Sequence, residues 1–392
     1  ISAMAAEGRL DLTIGDLPDL LLRNAFVESL PPGIPVGVDA QLGLTLSENS
    51  LDLTDLEATL DDMAVQGNAS LANLAEPGYR FDVAINRLDL DAMFPAGEGE
   101  VESEKPSTAE QLLLPVAPFQ GLDVKGQARI GELVTTGVTL NDVDLVIDST
   151  DNVLRVSPLS ARLFGGEVET HLTYDVTAEV PTLELQASTS ALEVGSLLTA
   201  LAVTEKVEGT GNLDVDLAGQ GATLDQLLGS LSGNIGFLLR DGALKGFDLQ
   251  ATLLKLEDEI ARYRGKESEA RPSPGAETKF AELSGSFRAV SGVFANDDFA
   301  MKAPAFRVGG GGVIDLPKDR IDYKLDVNVV DSVEGQGGKA LDELRGARIP
   351  LKIYGPLAEP SFTLDLASLL EERAKEEVKK VILKELGVES DA

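Results

Sequence analysis

One histidine, His171, is where acid–base or metal chemistry would have to begin. It stands inside "ETHLTYDV", a strand pattern. A triad needs a hydroxyl and a carboxylate brought to it, and a metal site needs further nitrogen or sulfur ligands. With no second histidine and no cysteine in the chain, His171 reads as a plain strand residue. Carboxylates are abundant, and any two could be offered as an acid–base pair. They fall on the alternate positions of strands, so they read as a solvated face. Four glycines in "RVGGGGVIDLP" (Arg307–Pro317) lack the Lys-Ser/Thr and the helix start of a phosphate cradle. A strand follows them, so a tight turn or close backbone approach is expected. In "EGQGGKALDELRG" (Glu334–Gly346) Gly338-Lys339 opens a helix, but the earlier glycine is misplaced and Ala340 stands where a hydroxyl is required. Asn68-Ala69-Ser70 fits a glycosylation acceptor, which matters only in a eukaryotic secretory route. No catalytic residue, metal ligand or cofactor is nominated, and the chain is not expected to be an enzyme.

The elements that must position side chains are more telling. A strand cassette returns as "NDVDLVID" (Asn141–Asp148), "NLDVDLAG" (Asn212–Gly219) and "DYKLDVNVV" (Asp322–Val330). Side chains on a strand alternate between faces, so each cassette puts Val, Leu and Ile on one face and chiefly Asp or Asn on the other. The apolar face has to be hidden from water by helices, by a second sheet or by a guest. Helical periodicity is confined to Asp16–Ser29, Ala222–Leu231, Phe247–Tyr263 and, most regularly, Leu366–Leu386.

The 392 residues carry 66 acidic and 33 basic side chains, a net charge of −33. Such a field repels phosphate backbones, so nucleic acid is excluded as a partner, and anionic bilayers are repelled too. An apolar content of 43% is enough to build a core. No run of about 18 apolar residues is present to span a bilayer as a helix. The chain opens in strand pattern without an initiator Met or signal peptide, which suggests the middle of a longer protein.

Two related blocks, Leu42–Pro95 and Val138–Leu198, each run through four strands with turn signals at roughly ten-residue intervals and close on a short helix. Ala96–Ser107 ("AGEGEVESEKPS") reads as a linker, and Gly265–Glu277 as a second polar stretch. Four parts are therefore expected: residues 1–107, a β-repeat block with an N-terminal helix; 108–205, a second β-repeat block; 206–365, a C-terminal β region; and 366–392, an amphipathic helix.

Three separated strings, "LSGNIGFLLRDGALKGFDL" (Leu231–Leu249), "TKFAELSGSFRAVSGVFANDDFAMKAPAFRVGGGGVIDLPKDRIDYKLDV" (Thr278–Val327) and "RGARIPLKIYGPLAEPSFTLDL" (Arg345–Leu366), occur in register. In order, spacing and the Gly-Pro-x-x-x-Pro turn at Gly355–Pro360 they resemble the C-terminal region of the AsmA family of Gram-negative envelope proteins. The first 230 residues share its general strand texture. The resemblance implies a protein at the periplasmic face of the inner membrane, held by an N-terminal helix absent from this chain. It also implies kinship with bridge-like lipid-transfer proteins, whose curved sheets hold acyl chains. Family members are linked to outer-membrane protein assembly as well, so an outer-membrane or periplasmic protein is a further expected partner.

The expectation is mainly β: an elongated, antiparallel, curved open sheet forming a half-pipe groove, with a few short helices. Phospholipid is the expected partner, in transport between inner and outer membranes. The expected lining is Leu51, Leu53, Phe81, Val83, Ile85, Val143, Leu145, Leu183, Leu185, Leu213, Val215, Leu217, Leu325, Val327 and Val329. The alternatives are a closed sandwich core built from the same residues, a plain structural solenoid, and a factor for outer-membrane protein assembly or envelope integrity that carries no lipid. An outer-membrane barrel is disfavoured by the absence of Trp and the 5% aromatic content, since barrels carry aromatic girdles.

Overall fold

The computed structural model describes residues 6–19, 33–73, 77–93, 114–200, 204–253, 268–270, 276–330 and 348–364. The Ala96–Ser107 linker, Glu334–Gly346 and the Leu366–Leu386 helix lie outside them. So do Asp16–Ser29 beyond Asp19, Phe247–Tyr263 beyond Leu253, and most of Gly265–Glu277. The described chain is mainly β and divides into two compact units, Ile1–Leu192 with Asp214–Ser230, and Glu193–Leu213 with Leu231–Ala392.

The first unit holds β1 (Ala6–Ile14), β2 (Val38–Leu46), β3 (Ser50–Leu60), β4 (Met63–Ala72), β5 (Gly78–Asp89), α1 (Leu90–Met93), β6 (Asp123–Thr135), β7 (Val138–Thr150), β8 (Val153–Leu163), β9 (Gly166–Asp175) and β10 (Thr182–Ser190). After β11 (Leu192–Glu193) and α2 (Val194–Ala200), β12 (Val207–Gln220) gives its C-terminal half to this unit, followed by α3 (Leu224–Ser230). The helices closing the two sequence blocks are α1 and α2, and α3 is the Ala222–Leu231 stripe. The second unit holds β13 (Ser232–Lys245), β14 (Ser268–Ala270), β15 (Glu277–Val290), β16 (Val293–Lys302), β17 (Phe306–Asp315), β18 (Arg320–Val329), β19 (Arg348–Pro356) and β20 (Ser361–Leu364).

Pairing follows chain order. In the first unit each strand from β1 to β10 pairs with the next, and β10 then pairs with β12. All these pairs are antiparallel except β5–β6, which is parallel. The sheet is open: among the described residues β1 pairs with β2 alone. Two-residue turns with both φ positive join β6–β7 (Thr136-Gly137), β7–β8 (Asp151-Asn152), β8–β9 (Phe164-Gly165) and β15–β16 (Ser291-Gly292). Their twist matches that of the strands they connect, which keeps the meander in register. Helix α1 is fixed at one end of the sheet, because the Asp91 carboxylate accepts the N–H groups of Thr136 and Gly137 at 2.6 and 2.7 Å.

The second unit runs β13–β15–β16–β17–β18–β19–β20, all antiparallel, with β14 on β20. One row across it, Leu239–Leu283–Met301–Val308–Val327–Ile349, is at most 4% exposed at every position. Rings pack nearby, with Phe237 and Phe287 at 5.8 Å and Phe247 stacked on Phe362 at 4.6 Å. The buried Thr278 hydroxyl donates to Phe247 O (2.6 Å) and accepts Leu249 N–H (3.0 Å), holding the following turn of helix, with Leu249 and Leu253 wholly buried, beside β15. The glycine run on β17 is the close approach its sequence suggests: a Cβ on Gly311 would fall 2.3 Å from the Asn296 carbonyl oxygen, and one on Gly312 2.5 Å from the Tyr323 ring.

Candidate functional site: an apolar face across eleven strands

Tracing register partners through the first unit joins one residue from each strand into a single row: Gly8, Leu44, Leu53, Ala69, Phe81, Gly126, Ile147, Val156, Leu172, Leu185 and Leu217. No member carries a polar side chain. One residue along, on the opposite face, the row reads Glu7, Thr45, Asp52, Ser70, Arg80, Lys125, Asp148, Arg155, Thr173, Glu184 and Ala218. Ten of those eleven are polar. Since a one-residue slip would swap the two sets, the alternation and the turns together hold the register.

The polar face is knitted by cross-strand ion pairs: Lys125–Asp148 at 3.0 Å, Arg80–Asp123 at 2.8 Å and Arg129–Asp82 at 3.5 Å. The Lys125 ammonium, bonded to Asp148, holds that carboxyl below its usual range. At the far end of β2, Asp61 is held low by the Gly37 and Val36 N–H groups, each donating to it at 2.8 Å. Such exposed pairs add little stability each. Their effect is to keep one face wet.

The apolar face is only partly covered. Eleven of the expected lining residues lie on it: Leu51, Leu53, Phe81, Val83, Ile85, Val143, Leu145, Leu183, Leu185, Val215 and Leu217. Val143 is wholly buried, at 1%, in a cluster with Ala128, Ile130 and Ala161, whereas the other ten are half-buried. Leu213 lies on the second unit's half of β12. Leu325, Val327 and Val329 on β18 belong to the second unit and are 4%, 0% and 6% exposed. The same alternation therefore yields a half-open face in one unit and a filled core in the other.

One margin of the open face has a cover that carries no periodic signal in the sequence. Val116 and Phe119 pack on Leu154, Tyr174 and Val176, with the Phe119 and Tyr174 rings 5.6 Å apart edge to face. The Tyr174 hydroxyl donates to Pro115 O at 3.1 Å, and Leu114 N–H to Ala222 O at 3.0 Å. This segment thus packs on β8 and β9 and is tied to Ala222, beyond the end of β12.

His171 is a strand residue, as expected; the β8–β9 ladder brings Ser157 to it, and Glu169 stands two residues before it on β9. The Ser157 hydroxyl lies 2.7 Å from Nδ1, and Glu169 lies 3.5 Å from Nε2. All three are on the polar face and the His171 side chain is 43% exposed, so water screens the trio. A cleft beside it is lined by Asp142, Ser160, Arg162, Glu167, Glu169 and Ser188 among others, and Arg162 is already paired with Asp142. Among the described residues no group of three or more His, Cys, Asp or Glu side chains is placed to hold a metal ion. No described helix is long and apolar enough to cross a membrane.

No solved structure matches this chain. Protein AsmA of Escherichia coli (strain K12) is 21% identical over 350 residues, a match that takes in 85% of this chain and 56% of that protein. The chain thus spans little more than half the length of that relative. The AsmA family profile matches residues 22–299, which extends into the N-terminal strands where the sequence shows only a general texture. That stretch covers most of the eleven-strand ladder, and it shows that the chain belongs to the AsmA family.

Proposed function

We propose that the open apolar face of the first unit is a lipid-binding groove, through which the protein takes part in phospholipid transport between the inner and outer membranes of a Gram-negative envelope, at the periplasmic face of the inner membrane. The observation that carries this reading is the uninterrupted apolar row from Gly8 to Leu217, half-buried along most of its length and backed by a polar row. An acyl chain laid on such a face recovers about 0.8 kcal/mol per methylene removed from water. That offsets the cost of leaving a bilayer. The row carries no charged side chain, so a chain sliding along it meets no deep trap. The role is binding and transfer, not catalysis. Kinship with bridge-like lipid-transfer proteins, implied by the family, supports the same reading.

Photo-crosslinking tests it. A photoreactive residue at Leu185, on the apolar face, is expected to capture lipid from phospholipid vesicles, and one at its neighbour Glu184 is not. Equal labelling at both positions, or none at either, would count against a groove and favour a role in outer-membrane protein assembly that carries no lipid.

A further inference from the structure

Ser149 on β7 has the same strand parity as Val143, Leu145 and Ile147, so its side chain is on the apolar face. It is 0% exposed, and its hydroxyl has no hydrogen-bond partner among the described residues. A buried hydroxyl without a partner is uncommon and calls for an explanation. Its register partner is Leu154, whose own partner is Tyr174. The two hydroxyls of this margin thus sit in one row, two strands apart. Leu154 and Tyr174 are the residues on which Val116 and Phe119 pack, and the Tyr174 hydroxyl is bonded to Pro115 O of that same segment.

We propose that Leu114–Phe119 is a displaceable cover, and that when it moves the Ser149 and Tyr174 hydroxyls donate to the ester carbonyls of an acyl lipid. This rests on the lipid-groove reading and narrows its substrate to ester-linked lipids. A ligand shifts a conformational equilibrium only by its difference in affinity for the two states. With the cover in place one hydroxyl is bonded to Pro115 O and the other to none of the described residues. With an ester group in its place both have acceptors, and the acyl chains continue over Leu183 and Ile147. Among the described residues the cover is tethered by the Pro115 and Leu114 hydrogen bonds and two apolar side chains. Segments of that kind open at low cost.

The test uses the full chain and two vesicle preparations that differ only in the lipid's linkage, diacyl phosphatidylethanolamine and its dialkyl ether analogue. Lipid retained on the re-isolated protein is counted by mass spectrometry. Wild type is expected to retain the diacyl lipid about fivefold better, the effect of one neutral hydrogen bond. Ser149→Ala should lose most of that preference while melting at or above the wild-type temperature, since it removes an unpartnered buried hydroxyl. Tyr174→Phe should weaken the preference, and Phe119→Ala should speed uptake of both lipids. Equal retention of the two lipids by wild type, or full preference in Ser149→Ala, would overturn the ester contact. Unchanged uptake in Phe119→Ala would overturn the cover. Retention of neither lipid would instead refute the groove reading on which both depend.

Discussion

The ring of Phe81 lies across Gly126, its register partner on the neighbouring parallel strand, so closely that a Cβ on the glycine would fall 2.6 Å from the ring. The glycine is what leaves room for an aromatic side chain in the apolar row. Gly126→Ala should therefore push the ring and the Phe81 backbone away, lowering stability by about 1–3 kcal/mol. Gly8 stands at the end of the same row with nothing within 4 Å, and Gly8→Ala should change stability by less than about 0.5 kcal/mol. Urea unfolding of the two variants checks this, and equal effects would show that the ring contact is not tight.

The two units should answer an inserted charge differently. Val327 is 0% exposed, and Val327→Asp leaves an unpaired carboxylate in a filled core, at a cost of about 3–5 kcal/mol. Leu185 is half-buried, and Leu185→Asp can keep its carboxylate hydrated at about 1–2 kcal/mol. Far-UV circular dichroism and thermal melts should show Leu185→Asp folded and Val327→Asp partly unfolded. Equal collapse in both would mean that the first unit is closed as well.

Alternation was legible, and with it the open, mostly antiparallel sheet. "NDVDLVID" places Val143, Leu145 and Ile147 on one face, and they are there. Of the tight turn or close approach expected of the glycine run, β17 shows the close approach, with the glycines inside the strand. What alternation cannot encode is what lies on the far side of an apolar face. Leu185 and Val327 have the same pattern around them, yet one is half-exposed and the other sealed. Strand direction is equally silent in a period of two, so the parallel β5–β6 pair had no signature. Ser157 reaches His171 only through the β8–β9 register, which slips between Val156 and Leu159, whereas Glu169 stands two residues before it on the same strand. Val116 and Phe119 sit beside prolines, out of any period, so nothing marked them as a cover.

Acid should weaken the protein through its depressed carboxylates. Asp148 is held low by Lys125, Asp61 by the Gly37 and Val36 N–H groups, and Asp298 by the Ser286 N–H. A carboxyl whose folded pKa lies below its unfolded value contributes stability above the unfolded pKa, and loses it as pH falls through the folded one. The melting temperature should therefore fall below about pH 4. Lys125→Met should make the fall shallower, because Asp148 then returns toward its ordinary value. A decline that begins above pH 5 and is identical in the variant would assign acid sensitivity to other groups.

The central claim is that the eleven-strand apolar face holds lipid. Native mass spectrometry of the chain, expressed in a Gram-negative host and purified without detergent, tests it most directly. The account predicts co-purified phospholipid on the wild-type protein and its loss in folded Leu185→Asp. Monodisperse, lipid-free wild-type protein would contradict it.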